Sequence, residues 1–187
     1  SEMCIRDSRY DDYFFGQKVD VCDLATGSGC IAISLALEEK NMRVVASDIS
    51  WEALEVAKEN NETLQAGVIF LQGDMLEPLA GRKFDIFVSN PPYIPEEEEV
   101  MPLVKDNEPN LALFGGADGM KFYRIILSGV KPFLKDKALI AFEHGYDKKE
   151  QMLALAHQYF PDSRVEVIKD LEGKDRMTFI YVGDFHE

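Results

Sequence analysis

Short apolar runs alternate with longer amphipathic runs along the chain from Val19 onward. An apolar run of about four to eight residues bounded by turn residues predicts a buried strand, and apolar positions at helical spacing predict a helix. Strands are expected at 19–24 (VDVCDL), 43–48 (RVVASD), 68–74 (VIFLQGD), 84–90 (FDIFVSN) and 137–145 (KALIAFEHG). Helices are expected at 30–40, 51–61, 120–134 and 147–160.

The predicted helices differ in how much of their surface should be buried. Helix 30–40 is apolar on nearly all sides, so we expect it to be covered heavily. Ser50 precedes helix 51–61 and can cap its first turn. The amphipathic helices have apolar stripes formed by Ala53, Leu54 and Ala57, and by Met152, Leu155, Ala156 and Tyr159.

Strands that alternate with helices predict an α/β fold with a mostly parallel sheet and helices on both faces. The tail, residues 163–184, has two strand-like runs around a Gly-containing turn, which predicts an antiparallel hairpin. The sheet is therefore expected to have seven strands, the last two in this hairpin. Residues 91–119 form an unusually long loop, and such loops are often lids or binding loops.

The chain has 187 residues, of which 46% are hydrophobic, so it can form one globular domain with a core of its own. Residues 1–16 begin with SEMCIRDS, which fits no periodic element. We expect them to be a cloning or sequencing scar, or a ragged fragment end, outside the fold. The single domain is then expected to occupy residues 17–187.

Charge, cysteines and hydropathy exclude several classes of function. The formal net charge of −14 argues against DNA or RNA as the direct substrate, because phosphate contacts need a basic surface. It favours a protein partner with a basic surface. Cys4, Cys22 and Cys30 form no CxxC pair, which indicates buried thiols in a reducing cytoplasm rather than a disulfide or a zinc site. With no membrane-length apolar run and no leader pattern, we expect a cytoplasmic protein without membrane contact or metal.

A glycine-bearing turn, ATGSG at residues 25–29, joins the first strand to the first helix. Gly27 and Gly29 permit close approach of a ligand to the backbone, next to the free N–H groups of the helix. Asp48 ends the second strand about 20 residues further on, where a carboxylate can hold ribose hydroxyls. The pattern predicts a nucleoside-containing cofactor, and GSGCIA also satisfies the dinucleotide fingerprint of NAD enzymes. A turn that serves packing alone is the remaining alternative.

Two further acids favour S-adenosylmethionine over NAD. Asp23 stands just before the turn, where a carboxylate disfavours a pyrophosphate but suits an ammonium or a sulfonium group. Asp74, after the third strand, can accept from an adenine amino group. S-adenosylmethionine has a ribose, an adenine and a cationic amino-acid part, and it has no phosphate.

The tetrapeptide Asn90-Pro91-Pro92-Tyr93 follows the fourth strand, at the sheet edge where ligands of α/β proteins bind. The Asn90 side-chain oxygen and the carbonyls of Asn90 and Pro91 are acceptors, and the prolines hold these carbonyls rigidly. Tyr93 adds a flat ring that can stack. Together they predict a slot for a planar NH2 group, in which two oriented acceptors make a weakly nucleophilic nitrogen more electron-rich. A Pro-Pro turn that only ends the strand is the structural alternative.

These motifs together resemble a known family. DLATGSGCIAISLA, ASDIS, GD and above all VSNPPYIP are similar to the glutamine methyltransferases of peptide chain release factors, of the HemK/PrmC type. The similarity continues through NEPNLALFGGADGMKFYRII, AFEHGY and KDLEGKDR, over about Val19 to Val182.

The resemblance implies a Rossmann-like class I S-adenosylmethionine-dependent methyltransferase. It implies that Asn90, Pro91, Pro92 and Tyr93 bind and orient a substrate glutamine, in the Gly-Gly-Gln loop of a class 1 release factor. Asn90 would also contact the cofactor. The residues expected around the cofactor are Asp23, Ala25, Thr26, Gly27, Ser28, Gly29, Asp48, Ile49, Asp74 and Met75.

The chain departs from this family in two ways. Ala25 stands where many members have glycine, a small-for-small change that we expect to be tolerated. The helical N-terminal domain that docks the release factor, with its Pro-Arg-Pro-Glu-Thr-Glu type segment, is not visible. Three alternatives therefore stay open: a ribosomal-protein glutamine methyltransferase, an adenine-N6 or guanine-N2 nucleic-acid methyltransferase, and a cofactor-binding fragment without turnover.

Several other residues are candidates for minor roles. The acidic run 96–99 is expected to be a solvated loop face, or else a contact for a basic partner. His144 lacks partners at metal-ligand spacing, so a positioning role near the slot is the functional alternative to a core histidine. Glu108 belongs to the family resemblance without a derivable task. Lys174 and Arg176, in the hairpin turn, are expected to be exposed or to fix the hairpin.

Overall fold

The protein is described by a computed structural model, which covers residues 10–93 and 115–183. The strands are β1 (Val19–Leu24), β2 (Met42–Asp48), β3 (Ile69–Gln72), β4 (Phe84–Ser89), β5 (Leu134–Glu143), β6 (Arg164–Lys169) and β7 (Asp175–Val182). The helices are α1 (Asp11–Phe14), α2 (Cys30–Glu38), α3 (Trp51–Leu64), α4 (Lys121–Gly129) and α5 (Lys149–Tyr159).

All the strands belong to one sheet in the order β3-β2-β1-β4-β5-β7-β6. The first five strands pair in parallel, and β7 pairs antiparallel with both β5 and β6. The predicted α/β fold, the number of strands and the C-terminal hairpin are therefore confirmed. The strand order reverses between β1 and β4, which is where open α/β sheets bind their ligands.

Helices cover both faces of the sheet. Helices α1 and α2 lie over one face, with a core that includes Val21, Ile86 and Phe179. Helices α4 and α5 lie over the other, with a core that includes Phe87 and Ile140. These cores bury both sides of the central strands, which explains why their sequences are almost continuously apolar.

The local signals in two helices are confirmed. Ser50 caps α3, since its hydroxyl accepts a hydrogen bond of 3.1 Å from the N–H of Ala53. The stripe of α3 is buried at Leu54 and Ala57. On α5, Met152, Leu155 and Ala156 are buried, and Tyr159 packs against the same core.

Two predictions about helices are wrong in part. Helix α2 is buried on one face only, and its Cys30 and Leu37 are exposed, so Cys30 is not the buried thiol expected. The helix predicted over 120–134 ends at Gly129, because the chain then forms a 3-10 turn that contains Pro132. Leu134 belongs to β5 and pairs with Phe84.

Three aromatic residues of the segment 1–16, which the sequence pattern leaves outside the fold, pack against the sheet. Tyr10, Tyr13 and Phe14 are buried in the core under α2. The Tyr13 hydroxyl donates a hydrogen bond of 2.8 Å to the carbonyl of Val182, at the end of β7. These three side chains therefore contribute to the core, which corrects their exclusion from it, whereas Phe15 is exposed.

No helix within residues 10–93 and 115–183 is both long and apolar enough to cross a membrane.

Candidate methyl-transfer site

The carboxyl ends of the first four strands lie together and are joined by hydrogen bonds. The N–H of Thr26 donates to the carbonyl of Ser47 over 3.0 Å, and the N–H of Gly73 donates to that of Asp48 over 3.1 Å. The buried hydroxyl of Ser89 donates to the carbonyl of Leu24 over 2.7 Å. The glycine turn and the segments that begin at Asp48, Asp74 and Asn90 therefore meet at one edge of the sheet.

The two glycines of the turn have different roles. Both have left-handed φ angles, 57° at Gly27 and 82° at Gly29. A Cβ at Gly27 would have no atom within 4 Å, so this side of the turn is open to a ligand. A Cβ at Gly29 would lie 3.1 Å from the Cβ of Ala57 and 3.2 Å from the Cδ1 of Ile33. Gly29 thus allows α2 to pack against α3, whereas Gly27 leaves open space at the surface of the turn.

Ala25 has a φ of 57°, in the left-handed region that favours glycine. Alanine at such an angle costs about 1–2 kcal/mol. Alanine is only slightly larger than glycine, but its backbone is strained at this φ angle. The sequence alone does not reveal this energetic cost. Ser28, in the same turn, is exposed.

Asp23 stabilises the glycine turn from the side of the core. Its side chain is buried, and its Oδ2 accepts hydrogen bonds from the Thr26 hydroxyl (2.6 Å) and from the N–H of Ala32 (3.1 Å). The carboxylate therefore links the end of β1 to the first turn of α2. Contact between Asp23 and a ligand cation stays a prediction.

Asp48 is half-buried and lies against the same turn. Its Oδ2 accepts from the N–H of Gly27 over 2.8 Å, and its Oδ1 accepts from the N–H of Ser50 over 2.9 Å. The next residue, Ile49, is 53% exposed and offers an apolar surface beside the carboxylate. A carboxylate next to an exposed apolar side chain can serve a ribose and the base attached to it.

Asp74 and Met75 follow β3 at the neighbouring position of the edge. Asp74 is exposed, while Met75 is half-buried and packs against the core under α4. Met75 has a φ of 44°, so the chain turns sharply there. The carboxylate of Asp74 is therefore available at the edge.

The Asn90–Tyr93 segment follows the end of β4, and its polar residue, Asn90, lies at the surface. Asn90 is exposed, Pro91 is buried, and Pro92 and Tyr93 are half-buried. A glycine-rich turn, residues 115–119, packs against the backbone of this segment. A Cβ at Gly115 would lie 2.5 Å from the Pro92 carbonyl oxygen, and one at Gly119 would overlap the Tyr93 carbonyl oxygen. The glycine-rich turn thus packs against the backbone of Pro92 and Tyr93 and leaves Asn90 exposed.

The residues after β5 form the wall beside the Tyr93 ring. A Cβ built on Gly145 would lie 3.6 Å from the Cδ2 of Tyr93, so the Gly145 backbone lies close to the ring. The buried His144 places its Nδ1 2.9 Å from the carbonyl oxygen of Gly145 and its Nε2 2.9 Å from the hydroxyl of Thr178. Burial lowers the pKa of His144 below its ordinary value, and the Gly145 carbonyl, Asp175 and Asp147 oppose this effect.

The hairpin turn is held by Asp170. Its Oδ1 accepts from the N–H groups of Glu172 and Lys174, and its Oδ2 lies 3.2 Å from the Nε of Arg176. Lys174 is exposed and pairs with Glu172 over 2.8 Å, whereas Arg176 is half-buried. Arg176 therefore fixes the hairpin, and Lys174 is a surface residue.

Sequence reasoning missed several residues that build the site. Ser89 could have been noticed as a polar residue inside an apolar strand, directly before Asn90. Thr178 carries no such signal, because its partner His144 is 34 residues away in the chain. Glu108 and the acidic run 96–99 lie outside the described residues. Within the part of the chain that the structure describes, no group of three or more His, Cys, Asp or Glu side chains could hold a metal ion.

Solved structures with the same architecture are methyltransferases. A methyltransferase from Pyrococcus furiosus has a TM-score of 0.70 at 20% sequence identity, covering 97% of this chain and 83% of that one. The fold is that of a class I S-adenosylmethionine-dependent methyltransferase. The family described as "Methyltransferase small domain" matches residues 12–107, and the chain belongs to this family. Membership decides between the two cofactors considered for the glycine turn, in favour of S-adenosylmethionine over NAD.

Curated relatives with the same pattern are named for a specific activity. A release factor glutamine methyltransferase from Bacillus anthracis is 49% identical over 175 residues, which cover 91% of this chain and 62% of the relative. One from Bacillus subtilis is 48% identical over 163 residues, which cover 85% of this chain and 57% of the relative. The chain thus spans about three fifths of the length of the curated relatives it matches.

Proposed function

We propose that this chain catalyses methylation of the side-chain amide nitrogen of a glutamine, in the Gly-Gly-Gln loop of a class 1 peptide chain release factor. The observation that carries the proposal is the Asn90–Tyr93 segment. It lies at the sheet edge beside the glycine turn, in a chain that is 49% identical to a release factor glutamine methyltransferase. A substrate that acts on the ribosome also favours a cytoplasmic location.

The cofactor half of the site fits S-adenosylmethionine. The open side of Gly27 leaves space for a ligand, and Asp48 is positioned for ribose hydroxyls with Ile49 beside it for the adenine. Asp74 is available for the adenine amino group. When bound, S-adenosylmethionine supplies a methyl group attached to a positively charged sulfur, and the surrounding carboxylates favour this charge over a pyrophosphate.

The substrate half of the site fits a primary amide. The lone pair of an amide nitrogen is delocalised into its carbonyl, so the nitrogen is a weak nucleophile. The Asn90 side-chain oxygen and the backbone carbonyl of Asn90 or Pro91 would accept the two amide hydrogens, which concentrates electron density on the nitrogen. The Tyr93 ring would lie against the amide plane. These acceptors gain strength as the nitrogen becomes positive, so they lower the barrier and not merely the substrate dissociation constant.

Mass spectrometry of a class 1 release factor incubated with the protein and S-adenosylmethionine tests the proposal. We expect the Gly-Gly-Gln peptide to gain the mass of one CH2 unit, because a methyl group replaces one hydrogen of the amide nitrogen. Parallel incubations with ribosomal proteins and with RNA or DNA separate the other substrate classes. Methylation of those substrates alone, or cofactor binding without transfer to any of them, would contradict the proposal.

The Asn90→Ala variant tests the role of the slot. Loss of the side-chain acceptor should lower kcat by about a hundredfold, as the loss of one oriented hydrogen-bonding group does in other enzymes. The dissociation constant of the cofactor should change much less. Asn90→Asp is the matched control, since it keeps an acceptor oxygen at the same place and should retain more activity than Asn90→Ala. Equal rates in Asn90→Ala and the parent protein would show that the Asn90 side chain has no role in catalysis.

A further inference from the structure

We propose that His144 is a positioning residue, which fixes the Gly145 carbonyl and thereby holds the Tyr93 ring in the substrate slot. This inference rests on the proposed function, because it assigns the slot to a glutamine amide. It concerns a residue that touches neither cofactor nor substrate in the proposed arrangement. The link runs from Thr178 on β7, through His144 and Gly145, to Tyr93.

The hydrogen bonds of His144 define its tautomer. A carbonyl oxygen can only accept, so the Nδ1 atom, 2.9 Å from the oxygen of Gly145, must carry the hydrogen. The Nε2 atom is then an acceptor, and the Thr178 hydroxyl, 2.9 Å away, donates to it. His144 and Thr178 are both fully buried, so water does not compete for these bonds. The ring therefore holds one orientation and directs one N–H at the Gly145 carbonyl.

Tyr93 has backbone on two sides, with Gly145 against its ring and Gly119 against its carbonyl. On one side the Gly145 backbone lies so close that an added Cβ would be 3.6 Å from the ring. On the other side Gly119 packs against the Tyr93 carbonyl, and the Cε of Lys148 would be 3.5 Å from a Cβ on Gly119. The Cγ of Lys148 would likewise be 3.4 Å from a Cβ on Gly145. A shift of Gly145 would therefore be transmitted directly to the Tyr93 ring, and through Lys148 and Gly119 to the Tyr93 carbonyl.

A direct chemical role for His144 does not fit the same contacts. A general base needs an accessible lone pair within hydrogen-bond reach of the substrate. The only lone pair on the ring is directed at the Thr178 hydroxyl, inside the core. The contribution of His144 to catalysis must then come from the orientation of its neighbours.

Two substitutions separate the hydrogen bonds of His144. The amide nitrogen of asparagine in His144→Asn can occupy the place of Nδ1 and keep the bond to Gly145, but it cannot reach Thr178. The longer side chain of His144→Gln can reach the Thr178 hydroxyl in place of Nε2, but it loses the bond to Gly145. We expect His144→Gln to lower kcat/KM for the release factor by about tenfold or more, as loss of precise positioning does. His144→Asn should lose much less, and neither variant should change the dissociation constant of S-adenosylmethionine.

A second pair of variants keeps the proposal testable if His144→Gln does not fold. Thr178→Val removes the hydroxyl that donates to Nε2, so the ring keeps its Nδ1–H bond to the Gly145 carbonyl but is no longer held at its other nitrogen. Thr178→Ser keeps that hydroxyl. We expect kcat/KM to fall less in Thr178→Val than in His144→Gln, because the bond to Gly145 remains, and to be largely restored in Thr178→Ser, with the same cofactor affinity in both.

NMR of the Tyr93 ring distinguishes failure of this inference from failure of the proposed function. The ring signals should shift in His144→Gln and stay close to those of the parent protein in His144→Asn, whether or not a release factor is methylated. Unshifted signals in His144→Gln would overturn the inference. So would equal losses of kcat/KM in His144→Asn and His144→Gln that follow their losses in Tm.

Discussion

At the scale of single residues, the turn after β1 contains three left-handed positions, of which glycine occupies only two. Ala25 and Gly27 have the same φ of 57°, two residues apart. Alanine bears the steric cost of this conformation, whereas glycine bears only its larger loss of backbone entropy on folding. The turn proposed to hold the cofactor is thus strained at one point.

Replacing Ala25 with glycine should relieve that strain. We expect Ala25→Gly to raise the free energy of unfolding by about 0.5 kcal/mol, the steric gain less the entropy loss. Urea denaturation followed by circular dichroism measures it. Gly27→Ala is the matched control: it should lower stability by about 0.5 kcal/mol, the steric cost less the backbone entropy gained by removing glycine. No atom lies within 4 Å of the added Cβ. A less stable Ala25→Gly variant would show that the turn is not strained at this residue.

The buried imidazole of His144 makes stability depend on pH in a defined direction. Burial lowers the pKa of His144 in the folded state, with Arg176 acting in the same direction and Asp175 and Asp147 against it. The unfolded chain binds a proton below about pH 6.5, while the folded protein does not until a lower pH. The stability from this group is therefore complete above about pH 6.5 and is lost as the pH falls toward the folded-state pKa.

The difference between the parent protein and His144→Asn isolates this effect, because their other titrating groups are the same. Measured by urea unfolding, the parent should lose more stability than the variant between about pH 7 and pH 5.5. Parallel pH dependences in the two proteins would show that His144 binds protons equally in the folded and unfolded states.

At the scale of secondary-structure elements, the contact between α2 and α3 depends on the absence of a side chain at Gly29. Alanine there would have its Cβ 3.1 Å from the Cβ of Ala57 and would hold a φ of 82°. We expect Gly29→Ala to lower the free energy of unfolding by about 2–3 kcal/mol, from strain and overpacking together.

The steric part of that loss should be recovered by a second change across the contact. Ala57→Gly alone should cost about 1 kcal/mol, as glycine does in a helix interior. Combined with Gly29→Ala it should cost less than the sum of the single changes, because the clashing Cβ is gone. A double-mutant cycle of unfolding free energies measures this coupling. Strict additivity would mean that Gly29→Ala acts through its backbone angle only.

The elements that could be predicted from sequence are those whose signals are local. Ser50 caps α3 through a contact three residues away, so the pattern identified it. The sequence pattern places Leu134 in a helix, because its strand partner, Phe84, is 50 residues away in the chain and periodicity does not detect it. The same limit applies within the site. The positions of Asp48 and Asn90 follow from strand ends, whereas the division of roles between Gly27 and Gly29 depends on the packing of Ala57.

At the scale of the whole molecule, cofactor binding should stabilise the fold, because the site is assembled from the ends of several strands. S-adenosylmethionine at a hundred times its dissociation constant should raise the free energy of unfolding by about 2.7 kcal/mol. NAD at the same concentration should have no effect. The only tryptophan, Trp51, lies three residues beyond Asp48 and is 47% exposed, so its fluorescence can report the binding itself. Stabilisation by NAD alone would contradict the assignment of the cofactor.

The place of β7 in the sheet has a consequence for the order in which the protein can be completed during synthesis. β6 leaves the ribosome before β7, yet it has no direct pairing with β5, because β7 lies between them. Neither strand of the hairpin can join the sheet until the later one has emerged. Thr178 is on that later strand, so the orientation of His144 is set only after β7 has docked. A nascent chain can form the proposed cofactor half of the site first and acquires the proposed substrate wall last.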